Sequence, residues 1–151
     1  MKNTKDSRHN ARRMALCISF CELFSKADPE SCINLSQEAL ESPSTDFSLT
    51  ENIIENIETH KKEIDDLIQQ NAPEWPIDKI SKVDLTILRI AVSEILFTDL
   101  PNKVAVDEAI ELAKEFGNDT SSKFINGVLG TIIEQDNSPK VHTTIETVLE
   151  K

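Results

Sequence analysis

Residues 81–133 read SKVDLTILRIAVSEILFTDLPNKVAVDEAIELAKEFGNDTSSKFINGVLGTII, and this run resolves into three helices with short joints. Over 82–97, Val83, Ile87, Ile90 and Ala91 make one apolar stripe, and Leu85, Leu88, Val92, Ile95 and Leu96 make a second. Together they cover most of a helix circumference, so this helix should be enclosed by others. Pro101 ends it, because proline lacks the amide donor and disfavours helix at the residue before it. Over 102–116, Val106, Ala109, Ile110, Ala113 and Phe116 recur every three or four residues, and Gly117 stands where a left-handed C-cap is expected. Phe124, Val128 and Ile132 stack along the third helix, flanked by Ile125 and Leu129, with Asp119, Thr120 and Ser121 as suitable N-caps. The core is helical.

Working outward, residues 10–26 have helical periodicity, with Leu16, Phe20, Leu23 and Phe24 on one side. Cys17 and Cys21 lie beside that stripe and read as small core residues. Arg8 and Arg12, four apart, share a face, with Arg13 one step round. Asp28-Pro29 is an N-cap followed by proline in the first turn, which starts a second helix running to Leu40. Residues 41–48 read as a loop. One long helix is expected over 50–71, burying Ile53, Ile57, Ile64 and Ile68, and residues 72–76 break it. A short helical turn then reaches Ile80. The pattern predicts an all-α protein, a compact two-layer bundle of about seven helices. It forms one domain over 1–137, followed by 138–151 as a tail or extra helix.

With 38% hydrophobic but only 5% aromatic residues, that core should be aliphatic. No run is long and apolar enough to span a membrane, and the basic N-terminus lacks the apolar segment of a secretory signal. Three cysteines without a repeating spacing suggest reduced thiols in a cytoplasm. The net charge of −11 argues against nucleic acid as a partner, yet residues 1–13 carry Lys2, Lys5, Arg8, Arg12 and Arg13 against Asp6 alone. Such a basic arm on an acidic body can hold phosphates locally.

Catalytic machinery is not legible. The three histidines are scattered, no set of metal ligands recurs at coordinating spacing, and no nucleophile or phosphate-cradling motif occurs. No enzyme, metal or cofactor is expected. Gly127 and Gly130 lie within an apolar helix, where close helix packing explains them better than an RNA clamp. Asp107, Glu108, Glu111 and Glu115 put like charges on one helix, a mild destabilisation. Arg89, inside an apolar helix, needs a partner, expected to be Glu94 or Glu108.

The segments LRIAVSEILF, P-x-KVAVDEAIELAKEFG and S-x-KFINGVLGTI, in that order and spacing, resemble the C-terminal half of the NusB transcription antitermination family. The resemblance is strong over 75–133 and weaker over 8–24, where Ala11, Arg12, Ala15 and Leu16 match an arginine-rich first helix and Phe20 stands for the usual tyrosine. Asp107 replaces the usual asparagine, and His9-Asn10 interrupts the arginine run. The resemblance implies binding of single-stranded boxA RNA together with NusE, a small-subunit ribosomal protein, in the transcribing RNA polymerase complex of ribosomal RNA operons. By position, Arg8, Arg12, Arg13, Thr120, Ser121, Lys123 and Phe124 would face RNA, and Phe20, Phe24, Asp78 and Asp84 would face NusE. Two other readings accompany it: a helical protein–protein adaptor with weak RNA affinity, and the front domain of an RNA methyltransferase, for which the chain is too short. Monomer and homodimer are both compatible with the fold.

Overall fold

The computed structural model describes residues 4–24, 28–40, 45–72 and 74–135, so the expected tail over 138–151 lies outside the described residues. Seven α-helices follow one another: α1 (Thr4–Phe24), α2 (Pro29–Leu40), α3 (Phe47–Thr59), α4 (Lys61–Asn71), α5 (Lys82–Phe97), α6 (Asn102–Phe116) and α7 (Ser121–Gln135). A single 3-10 turn, Ile77–Lys79, precedes α5, and there is no strand among the described residues. Helices α1, α2 and α3 form one layer and α4 to α7 the other.

Helix α5 joins the layers. It packs against α1, α3, α4, α6 and α7, and its residues from Asp84 to Leu88 and from Ile90 to Ile95 are all buried. The double apolar stripe predicts this enclosure, and the core around it is aliphatic, built from Ile87, Leu88, Ile64, Ile68, Leu112, Ile125, Leu129 and others. Ser81 caps α5 by accepting the amide of Asp84 at 3.1 Å. At the other end Thr98 turns extended and donates its hydroxyl to the Glu94 carbonyl at 2.6 Å.

Several expectations are corrected. Helix α1 begins at Thr4 rather than near residue 10, so the basic arm is helix from its fourth residue on. The single helix over 50–71 is two helices, starting earlier, at Phe47, with the Asp46 side chain accepting the Leu49 amide. Its break at His60 carries no glycine or proline. His60 leaves helical geometry at φ −115° and ψ 23°, and its ring stacks on Phe97 with centroids 3.8 Å apart. At this break the chain turns so that α3 faces α1 while α4 faces α7. Gly117 is extended, at φ −91° and ψ −170°, not left-handed. Its requirement is space: a Cβ there would stand 2.5 Å from Ser121 Oγ and 2.8 Å from the Ala113 carbonyl oxygen. Gly127 and Gly130 are not packing glycines, since a Cβ at either would meet nothing within 4 Å.

Arg89 pairs with Asp65 on α4, Nε to Oδ1 at 2.8 Å and Nη2 to Oδ2 at 3.0 Å, and not with Glu94 or Glu108. Its position on α5 faces α4, whereas the two glutamates face α1. The three-thiol expectation is also corrected: Cys21 of α1 and Cys32 of α2 are joined as a disulfide, with Cα atoms 5.8 Å apart. Cys17 remains a thiol, and burial pushes its pKa up.

Candidate nucleic-acid interface

The basic side of α1 is turned towards acids, and it meets them at long sequence distance. Arg12 donates through Nε to Glu94 Oε1 at 2.9 Å and through Nη2 to Oε2 at 2.8 Å. Both side chains are almost fully buried, 4% and 3% exposed. Glu108 Oε1 stands 3.8 Å from the same guanidinium. Arg13 holds Glu115, with Nη2 2.8 Å from Oε1, and donates to Asn10 Oδ1 at 3.1 Å. His9 Nδ1 lies 2.7 Å from Glu108 Oε2. Glu108 and Glu115 on α6 are therefore counter-charges for α1, not merely a repelling row. Arg12 is buried against its acids, Arg13 is engaged at a half-buried position, and Arg8 is exposed.

The hydrogen bond to Glu108 holds the His9 imidazole above its ordinary pKa, burial opposes that, and the charges of Glu108 and Glu115 add to it against Arg13. A raised folded-state pKa gives stability that is complete below about pH 6.5 and lost as pH rises through the folded value. Thermal unfolding of wild type and His9→Gln between pH 5.5 and 8.5 should differ most at the acid end, by about 1 kcal/mol or less, and converge at the alkaline end.

The other expected half of the interface sits where α7 begins. Asn118 organises the turn: its Oδ1 accepts from the Thr120 amide and from the Thr120 hydroxyl, each at 2.9 Å, and its own amide donates to Ser121 Oγ at 3.0 Å. Ser121 is thereby buried and structural, while Thr120 and Lys123 are exposed and Phe124 is half-buried. Phe124 and Thr120 border two adjoining cavities, of about 470 and 310 Å³, that meet at Trp75. Asp84, expected on the NusE side, lines the second of these beside Phe124. Arg8 and Arg12 line a different cavity, bordered by Asp46, Glu94 and Asp99. Of the expected partner residues, Asp78 is exposed and Phe20 is half-buried; the side chain of Phe24 lies outside the described residues.

Sequence reasoning missed Asn118 and Trp75. Trp75 is 54% exposed in the connection between α4 and α5. The signal was available: the chain's single tryptophan falls in a proline-flanked break, where core packing cannot explain it.

Fold and surface together define an all-helical protein in which no cluster of metal-binding side chains occurs among the described residues, and whose distinctive surface is an aromatic, lysine-flanked groove. The model of the NusB family matches residues 9–134. A transcription antitermination protein NusB from Clostridium novyi is 40% identical over 131 residues, 85% of this chain and 98% of that protein. One from Listeria monocytogenes is 47% identical over 87 residues, 57% of this chain and 68% of that protein. The solved structure of T. maritima NusB is 32% identical, covers 95% of this chain and 99% of its own, and superposes with a TM-score of 0.76. A crystal structure of antitermination factors NusB and NusE in complex with dsRNA shares the fold at 22% identity and a TM-score of 0.75, covering 87% of this chain and 98% of that one. The chain belongs to the NusB family.

Proposed function

We propose that this protein is a transcription antitermination factor that binds boxA-type single-stranded RNA together with NusE, within the transcribing RNA polymerase complex of ribosomal RNA operons in the cytoplasm. Family membership supports the role, and the observation that carries RNA binding is the groove where Phe124, Thr120 and Lys123 stand together beside Trp75. Aromatic faces stack on bases and lysines hold phosphates, which is the chemistry single strands require. The known complex of relatives with NusE and dsRNA supports both partners. Arg8 and Lys123 supply free cations, Arg12 and Ser121 shape the surface from beneath, and Phe20, Phe24, Asp78 and Asp84 face NusE. A strongly acidic body suits a basic ribosomal protein.

The adaptor reading is favoured by one observation, that His9, Arg12 and Arg13 are all committed to carboxylates. Fluorescence anisotropy of a labelled boxA-type RNA, with and without NusE across a salt series, separates the two. Phe124→Ala should weaken RNA binding about tenfold or more, and Arg8→Ala should reduce the salt slope by about one. NusE binding without any RNA response sinks the RNA reading and leaves the adaptor.

A further inference from the structure

We propose that residues 138–150 of this chain form an eighth helix that folds back along α7 and lies in the groove between α4 and α7. That groove is a cavity of about 670 Å³, floored by Leu67 of α4, Leu96 of α5 and Ile132 of α7. Lys62, Glu63, Asp66 and Gln70, all exposed, make its rim along α4. Gln135, the last residue of α7, stands at its edge, so the chain leaves α7 beside the groove. An apolar floor under a polar rim is the seat of an amphipathic helix. Glu63 and Asp66, with Lys62 held by Asp66 at 2.8 Å, disfavour nucleic acid as the occupant.

The residues after α7 supply such a helix, beyond residue 134, where the NusB match ends. Ser138 and Pro139 are an N-cap and a first-turn proline. Val141, Ile145, Val148 and Leu149 then recur at the spacing of one helix face, with Thr143, Thr147 and Glu150 opposite. Only residues 136–138 separate Gln135 from Pro139, and so short a connection makes consecutive helices antiparallel neighbours. The end of α7 lies by the start of α4, and the start of α7 by the end of α4. A helix turning back along α7 therefore runs beside α4 from Lys62 towards Gln70. Lys62 to Gln70 and Val141 to Leu149 span the same number of residues, about 12 Å of helix each. Gly127 and Gly130 are exposed on α7, and a Cβ at either would meet nothing within 4 Å. Glycine weakens a helix relative to alanine, and the described residues make no use of the space. A helix laid against α7 does, because glycines let a second backbone approach closely. The tether also favours the chain's own segment over a second copy, since a short linker sets a high effective concentration.

Hydrogen exchange of the full chain, read by mass spectrometry, tests the assignment. A helix this short is marginal alone in water, so protection of its amides requires docking. Amides 141–149 should exchange at least about tenfold more slowly than an unstructured chain, independently of protein concentration. Ile145→Asp should return them to unstructured rates. Gly130→Gln, at an exposed position where the described residues leave room, should do the same without lowering protection of α4 to α7. Unstructured rates in the unmodified chain overturn the proposal. Protection that survives Gly130→Gln places the segment elsewhere and overturns it too. Protection that rises with protein concentration makes the occupant a second copy and overturns the intramolecular assignment.

Discussion

Glu94→Ala should destabilise the protein by about 3–5 kcal/mol in denaturant unfolding. The carboxylate is buried and makes a two-pronged contact with Arg12, an equally buried guanidinium. Removing it leaves a cation that cannot lose its proton and has little access to water. Glu108, at 3.8 Å, lies beyond hydrogen-bond reach and offsets only part of the loss. The pair itself is a poor source of net stability, since burying two ions costs about what their attraction returns. The double variant Arg12→Met with Glu94→Leu should therefore recover most of the loss. A double variant no better than Glu94→Ala alone would show that α1 needs the charges themselves. Arg12→Ala, which a sequence reading places on the RNA surface, should lower stability far more than it alters a salt slope.

Leu88→Ala should cost about 2–5 kcal/mol by the same measurement. Leu88 is fully buried on α5, the helix packed on five others. Walls fixed on so many sides collapse little into a vacated volume, which places the expectation in the upper half of that range. Leu35→Ala provides the contrast. Leu35 is 56% exposed on α2, and its truncation should stay within about 0.5 kcal/mol. Similar losses at the two positions would mean that α5 is not the shared centre of the core.

The three helices around α5 were legible because their periodicity and punctuation agree: apolar stripes at helical spacing, Pro101 and Gly117 at the joints. What escaped was set by contacts between distant residues. Nothing local at His60 breaks a helix; its ring answers to Phe97, on another element. Arg89 was recognised as needing an acid, but the choice of Asp65 depends on how α4 lies against α5. The candidate site divides in the same way. Phe124, Lys123 and Thr120 were found as a cluster because they are sequence neighbours on one turn. Trp75 and Asn71 join them only through the packing of α4 on α7. The arginines of α1 were named as a group, yet a sequence cannot say which of three adjacent cations turns inward. Arg12 does, because it alone meets Glu94.

The clasp between α1 and the acids of α5 and α6 also sets an order of events at the ribosome. Arg12 waits for a partner 82 residues downstream, and His9 and Arg13 wait for partners 99 and 102 residues away. At synthesis rates of about 5–20 residues per second, that interval lasts roughly 4–20 seconds. Throughout it, α1 can pack on α2 and α3, but Arg12 lacks the buried acid it ends against. Docking of the N-terminal helix onto the second layer is thus completed only when the C-terminal half emerges. A nascent chain stalled before Glu94 leaves exposed the Arg12 guanidinium that the finished protein buries.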